Sequence, residues 1–187
     1  MTNHPDTATD DDTAGRDMFR VVIRAPIHKV WAELTRCDSV LPFFFNSACK
    51  TPGSGLEVGA PIRMTSANGK FAAVVGDVLE FDPPYRYAHT FKFTSLDDPL
   101  CTIRYILKEV DGGTEFTLIN EGVPAGTKTE KYMTSGGRFI IENLKSFIET
   151  GKPTAGGRFA LFMMGLTAPL TPKQARAEYW PFDRDVV

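Results

Sequence analysis

The segment from Gly126 to Thr150 restricts the fold of this chain more than any other feature. One set of its side chains recurs at steps of three and four residues, which places the set on one side of a helix: Tyr132, Gly136, Phe139, Ile140, Asn143, Leu144 and Phe147. The other side carries residues that suit water: Thr129, Lys131, Thr134, Arg138, Glu142, Lys145 and Glu149. At a rise of about 1.5 Å per residue, such a helix is roughly 30 Å long. We therefore predict one long amphipathic helix that spans a small domain.

Alternating segments before this helix predict a sheet. Their spacing gives strands over residues 18–24, 60–66, 71–81, 87–93, 101–110 and 114–121, with Gly76 as a bend or bulge. Turn sequences join several of them, such as Asn68-Gly69 and Asp111-Gly112-Gly113. Two short helices are predicted after the first strand, one from Ala25-Pro26 and one over residues 41–45. Short connections favour an antiparallel meander of about seven strands in an α+β domain.

Composition excludes several classes of function. The 187 residues are 42% hydrophobic and 24% charged, with a net charge of −2, which lacks the basic surface that nucleic-acid binding needs. The acidic N-terminus does not resemble a signal peptide, and no segment approaches the roughly 20 apolar residues of a membrane span. The three cysteines form no metal-ligand spacing, and their odd number fits a reducing compartment. We expect a cytoplasmic protein without a metal ion or cofactor, and no nucleic-acid or membrane partner.

Three regions are expected along the chain. Residues 1–16 are polar and acidic and are predicted to be disordered, and residues 17–152 form the domain. Residues 153–187 form an extension that includes the strongly apolar run 159–166 and a short helix predicted from Thr171-Pro172 up to Pro181. Because a large exposed apolar patch is unfavourable in water, the extension should pack on the domain, on a partner subunit of a homodimer, or over an opening.

Three motifs in this order resemble a known superfamily: RAPIHKVWAELT (24–35), GDVLEFDPPYRYAHTF (76–91) and VDGGTEFTLINEG (110–122). They are similar to the START-like, or SRPBCC, superfamily and to its branch related to the activator of heat-shock protein 90 ATPase. The resemblance implies a helix-grip (Bet v 1-like) fold, in which a curved antiparallel sheet wraps around a long C-terminal helix. The chain departs from that branch where Arg138-Phe139 follows a Gly-Gly pair, and where Phe43-Phe44-Phe45 replaces a tryptophan.

The resemblance also implies a cavity between the sheet and the long helix. The inward faces predict its ligand-binding residues: Phe45, Met64, Phe71, Tyr87, His89, Phe91, Tyr105, Phe116, Met133, Phe139 and Asn143. Tyr87, His89, Tyr105 and Asn143 would orient a ligand. The alternative is an ordinary filled core in which these polar groups are satisfied internally. His89 could in principle act as a base, but the sequence supplies no orienting partner, so no catalytic residue is predicted.

The sequence leads to three hypotheses for function. The first is binding of a hydrophobic or amphipathic small molecule without catalysis. The second, implied by the resemblance alone, is a co-chaperone-like activator with a chaperone partner. The third is an enzyme of the polyketide cyclase or aromatase type, which the superfamily also contains.

Overall fold

A curled eight-stranded sheet surrounds one long helix in the computed structural model, which describes residues 16–167 and 170–186. The strands follow the order β1-β8-β7-β6-β5-β4-β3-β2, and every neighbouring pair is antiparallel. Their bounds are β1 Arg16–Ile23, β2 Val40–Leu41, β3 Ser47–Lys50, β4 Pro61–Ser66, β5 Ala72–Asp82, β6 Arg86–Phe93, β7 Cys101–Val110 and β8 Gly113–Glu121. The helices are α1 Ile27–Leu34, α2 Lys128–Thr150 and α3 Ala155–Thr167. The predicted α+β helix-grip architecture is confirmed.

The N-terminal boundary differs by one residue from the prediction. Residues 1–15 of the predicted disordered tail lie outside the described residues, whereas Arg16 begins β1. From there the expected alternation holds, because Ile23 is buried while Met18 and Val22 are exposed. This strand pairs with β8, with Val21 opposite Phe116, and so closes the end of the meander.

The second short helix, predicted over residues 41–45, is shorter than predicted and is not an α-helix. Val40–Leu41 is a short strand, and only Pro42–Phe44 forms a turn of 3₁₀ helix. Phe45 and Asn46 follow in the left-handed region, at φ of 56° and 55°, so an α-helix cannot continue through them. β3 was also not predicted, because four residues are too few to show a clear alternation.

Gly76 is needed for a reason other than the predicted bend or bulge. The register of β5 shifts against β4 between Met64 and Thr65, and against β6 between Val78 and Glu80, so neither shift falls at Gly76. Gly76 itself is required because a Cβ there would lie 1.8 Å from the carbonyl oxygen of Thr90. The missing side chain lets β5 and β6 approach each other.

Helix α2 has well-defined ends. Thr127 accepts a hydrogen bond from the backbone N–H of Glu130, and the Glu130 carboxylate accepts one from the N–H of Gly126 at 2.8 Å. This arrangement is a variant of the capping box, in which the Glu130 carboxylate reaches the residue before the N-cap. The helix ends at Gly151, whose φ of 79° is the left-handed conformation that favours glycine.

The buried face of α2 is rotated from the predicted one. Its buried residues are Thr129, Met133, Gly137, Ile141, Asn143, Leu144 and Ile148, whereas Tyr132 is 51% exposed. Thr129, predicted to face water, is buried because its hydroxyl donates to a carboxylate oxygen of Asp98 at 2.7 Å. Gly137 packs so closely on the ring of Phe19 that a Cβ would lie 2.4 Å from it. The helix therefore rests mainly on β1.

The apolar segment after α2 forms helix α3. The side-chain oxygen of Asn143 accepts hydrogen bonds from the N–H and the hydroxyl of Thr154, both at 3.1 Å. Gly157 lies directly against the same amide, where a Cβ would be 1.9 Å from that oxygen. These contacts fix the start of α3 on α2. Most large side chains of α3 are exposed: Phe159, Phe162, Met163, Met164 and Leu166.

The C-terminal residues pack on the outer face of the sheet. The short helix predicted there is instead two 3₁₀ turns, Lys173–Ala175 and Ala177–Tyr179, separated by the extended residue Arg176. The turns are separate because Ala177 donates its N–H to the carbonyl of Lys70. The guanidinium of Arg63, only 2% exposed, donates to the carbonyl oxygens of Trp180, Pro181 and Arg184 at 3.0 to 3.3 Å. A buried cation thus holds the tail by its main chain.

The two adjacent glycines of α2 should respond oppositely to the same substitution. Gly137→Ala should lower the free energy of unfolding by about 1–3 kcal/mol, because its methyl group overlaps the Phe19 ring. Gly136→Ala should raise it by about 0.5–1 kcal/mol, because the new methyl lies 3.7 Å from Phe45 and alanine favours helix. Urea denaturation measures both. Equal effects of the two variants would contradict the close approach of α2 to β1.

Candidate functional site

A cavity of about 460 Å³ lies between α2 and the inner face of the sheet. Its walls come from β3 to β7, the end of α1, the 3₁₀ turn Pro42–Phe44, one side of α2, and Met164 of α3. Small-molecule sites in proteins typically measure roughly 300–1,000 Å³. The space between sheet and helix is therefore large enough for a ligand and is not an entirely filled core.

Seven of the eleven predicted site residues line this cavity: Phe45, Met64, Tyr87, His89, Phe91, Tyr105 and Phe139. They come from four separate parts of the fold, namely the 3₁₀ turn, β4, the pair β6–β7, and α2. Phe45 stacks on Phe139 with ring centroids 4.3 Å apart, which joins the turn to the helix beside the cavity. Their role in ligand binding stays a prediction.

Four predicted residues do not line the cavity. Phe71 lies at the end of the β4–β5 turn and pairs with Arg176 of the tail. Phe116 is fully buried and stacks against Tyr105. Met133 belongs to the buried face of α2, and Asn143 uses its side chain to hold α3.

Sequence reasoning missed other lining residues, among them Leu34, Thr35, Phe44, Ser47, Cys49, Leu56, Ile62, Phe93, Ile103, Tyr132, Ser135, Gly136, Ile140 and Met164. Some carried a usable signal. Ile62 and Phe93 share the alternation of Met64 and Phe91, and Ile140 follows Gly136 at helical spacing. Thr35, Ser47, Leu56 and Met164 carried none, because they lie in loops, a short strand and α3.

Three aromatic side chains form a polar cluster in this apolar cavity. Tyr87 and Tyr105 are direct cross-strand partners on β6 and β7, and His89 follows two residues after Tyr87 on the same face. The ring centroids lie 5.3 Å apart for Tyr87–His89, 5.4 Å for Tyr87–Tyr105 and 5.9 Å for His89–Tyr105. Each side chain is at most 5% exposed. Among the described residues, neither tyrosine hydroxyl has a hydrogen-bond partner.

The protonation state of His89 follows from its surroundings. Its Nδ1 lies 2.7 Å from the carbonyl oxygen of Thr90, which can only accept, so Nδ1 carries the proton and donates. Burial lowers the pKa of His89 to about 4, and the imidazole is therefore neutral at pH 7. The other ring nitrogen, Nε2, is left as an acceptor.

The two tyrosines complement that acceptor. Burial raises the pKa of Tyr87 and of Tyr105 above the ordinary value, so both hydroxyls remain protonated donors. No Asp, Glu, Lys or Arg is among the described residues that line the cavity. The cluster can thus offer two donors and one acceptor to a neutral ligand, and the other hydroxyl-bearing residues of the lining are Thr35, Ser47, Tyr132 and Ser135.

Two further features of the described residues concern metal ions and membranes. In residues 16–167 and 170–186, no group of three or more His, Cys, Asp or Glu side chains is placed to hold a metal ion. None of the helices in the same part of the chain combines the length and the apolar character that crossing a membrane requires.

Comparison with known proteins gives one family match. Residues 24–149 match the model of a family described as "Activator of Hsp90 ATPase homolog 1-like protein". That range runs from the end of β1 to the end of α2 and covers more than half of the chain. No curated protein sequence matches the chain.

Several solved structures share the fold. DynU16, a protein in the dynemicin biosynthetic locus, has a TM-score of 0.60 at 22% identity. The match covers 74% of this chain and 48% of DynU16, so this chain spans about half the length of DynU16. The Aha1 dimer from Colwellia psychrerythraea has a TM-score of 0.58 at 19% identity, over 73% and 98%. PFC0360w, an HSP90 activator from Plasmodium falciparum, has a TM-score of 0.57 at 16% identity, over 74% and 98%. These likenesses show the fold alone.

The neutral, buried state of His89 predicts a specific pH dependence of stability. In the folded protein its pKa is about 4, below the ordinary value of 6.5, so the unfolded chain binds more protons between these values. Stability should therefore fall by about 3 kcal/mol as pH drops from 7 to 4 through this one group.

Urea denaturation at both pH values measures this loss in the wild type and in His89→Gln, which cannot titrate. Carboxylates contribute equally to both proteins, so the difference between them isolates His89. An identical pH dependence in both would contradict the assignment.

Proposed function

The chain belongs to the family of activator of Hsp90 ATPase homolog 1-like proteins, and we propose that it binds a hydrophobic or amphipathic small molecule in the cavity. The observation that carries this proposal is the pair of tyrosine hydroxyls, each on a side chain at least nine-tenths buried, without partners among the described residues. Neither hydroxyl is a fully enclosed unpaired atom, so both are open to the cavity. A ligand that accepts hydrogen bonds can reach them there.

The chemistry of the walls defines the ligand. Because the described lining carries no charged side chain, a neutral molecule is favoured over an ion. A hydroxyl, such as a phenol or an alcohol, would accept from Tyr87 or Tyr105 and donate to Nε2 of His89. The remainder of the ligand would be apolar, with flat rings that suit the stacked Phe45 and Phe139.

We propose no catalysis. A general base needs a substrate proton within reach and usually an orienting partner, and the Thr90 carbonyl does orient the His89 ring with Nε2 free. The low pKa of His89, however, makes it a weak base. The polyketide cyclase hypothesis therefore stays a hypothesis without a residue that supports it.

Ligand binding is tested by blocking the cavity. Gly136→Leu should weaken binding of a hydrophobic fluorescent dye at least tenfold, because its side chain would enter the space beside Phe45. Gly156→Leu is the matched control, since a Cβ at that helical glycine meets no atom within 4 Å. Native mass spectrometry of gently purified protein would look for a retained ligand.

The polar cluster is tested in the same assay with a phenolic probe. Tyr87→Phe and Tyr105→Phe should each weaken binding about two- to tenfold through a lost hydrogen bond, while the exposed Tyr85→Phe should have no effect. Unchanged binding in Gly136→Leu, or no binding by the wild type, would refute the proposed site.

A second candidate function is activation of a chaperone ATPase, which the family match favours. The solved structure of an HSP90 activator with the same fold is consistent with it. If this function is correct, the protein should accelerate ATP hydrolysis by an Hsp90 chaperone, and the cavity variant Gly136→Leu should still do so. A rate unchanged at saturating concentration, with no complex detected by sedimentation, would reject it.

We further propose that residues 17–152 form the domain and that helix α3 of the extension joins two copies in a homodimer. The exposed apolar side chains of α3 support this, among them Phe159 and Phe162 at 67% and 63% exposure. The solved Aha1 dimer shows that a protein of this fold can dimerise. Light scattering of the wild type and of Phe159→Asp measures the mass in solution.

We place the protein in the cytoplasm, where its free cysteines would stay reduced.

A further inference from the structure

Two cysteines lie side by side at the edge of the cavity. Cys37 and Cys49 form an isolated parallel bridge, in which the N–H of Asp38 donates to the carbonyl of Cys49 at 2.9 Å. Neighbouring strands lie about 4.8 Å apart, which falls in the range of Cα separations that disulfides span. Each thiol also shifts the pKa of the other, as expected for two side chains that lie close together. Both are free thiols in this structure.

The two thiols have different environments. Cys37 is half-buried, whereas Cys49 is 7% exposed and lines the cavity. The interaction with Cys49 lowers the pKa of Cys37 and raises that of Cys49. Burial and the charge of Asp38 oppose this lowering at Cys37, and the ammonium of Lys50 adds to it. Since the thiolate is the nucleophile, Cys37 is placed to attack and Cys49 to resolve.

We propose that Cys37 and Cys49 are a dithiol pair that a hydroperoxide oxidises reversibly to an intramolecular disulfide. The Cys37 thiolate attacks the peroxide, whose O–O bond breaks, and the leaving oxygen takes up a proton as water or an alcohol. The resulting Cys37 sulfenic acid reacts with the Cys49 thiol, which forms the S–S bond and releases water. In total the two thiols lose two electrons and two protons. A low-molecular-weight thiol restores them by exchange.

The disulfide would act on the cavity wall. The segment between the two cysteines includes Phe44, Phe45 and Ser47, which line the cavity. Three of its residues have a positive φ, namely Asp38, Phe45 and Asn46, so its conformation is already restricted. Closing this loop covalently should slow the exchange of a bound molecule. That consequence depends on the proposed ligand binding, whereas formation of the disulfide does not.

The sequence makes the modification easy to measure. Trypsin cleaves after Arg36 and Lys50, which puts both cysteines on the peptide 37–50, while Cys101 lies on the peptide 93–104. Reduced full-length protein is treated with a few equivalents of hydrogen peroxide, unfolded and labelled with N-ethylmaleimide. The peptide 37–50 should no longer be labelled, and its mass should be about 2 Da below that of the same peptide with two free thiols. Dithiothreitol should restore both thiols. Cys101, whose pKa burial raises to about 11, should remain fully labelled.

Three serine variants separate the roles of the cysteines. Cys37→Ser should slow the reaction with peroxide more than about tenfold. Cys49→Ser should leave a sulfenic acid on Cys37 that dimedone traps, and Cys101→Ser should behave as the wild type. The proposal is overturned if Cys101 oxidises as fast as the pair, if Cys37 proceeds to the sulfinic acid without a disulfide, or if the pair survives excess peroxide.

Release of the hydrophobic dye from the oxidised and the reduced protein tests the effect on the cavity, and slower release from the oxidised protein is expected. Equal release rates would overturn that effect. A protein that forms the disulfide but binds no dye would refute the proposed ligand binding and keep the dithiol pair. One that binds the dye but stays reduced would refute only the pair.

Discussion

The close packing of α2 on β1 determines where an open space can exist in this fold. Gly137 lies on the ring of Phe19 without room for a single additional carbon, so the helix is held over the β1 side of the sheet. The curved sheet continues through β6, β5 and β4, and the helix does not cover the inner side chains of these strands. The cavity is the space left on that side. Its position is therefore a consequence of one close contact, and its volume depends on the small residue Gly136 one position earlier.

The polar cluster is the feature of the cavity that supports the proposed ligand binding. Tyr87, His89 and Tyr105 meet there, in a site that apolar side chains of β6 and β7 could have filled. Both tyrosine hydroxyls are open to the cavity, where a bound molecule can pair with them. The hydrogen bond from His89 to Thr90 fixes which ring nitrogen is protonated, and so gives the cluster one defined acceptor beside its two donors.

Most of the fold could be predicted from the sequence, because β1, β5 to β8 and α2 carry long alternations or helical spacing. The site was predicted less well, for two physical reasons. Periodicity shows that a side chain points inward. It does not show whether that side chain is buried in the core, as Met133 is, or lines an open space, as Phe139 does. Long-range contacts have no local signal: Asn143 has helical spacing but serves to hold α3 through Thr154.

Arg63 shows that the C-terminal tail is part of the fold of the domain. A guanidinium removed from water must have its donors paired, and three of its acceptors are main-chain carbonyls between Trp180 and Arg184. The segment that matches the family, residues 24–149, therefore contains a cation whose partners lie outside it. Unfolding of the tail and exposure of β4 are thermodynamically coupled. Because the recognised atoms are backbone oxygens, many side chains of the tail could change without loss of this coupling.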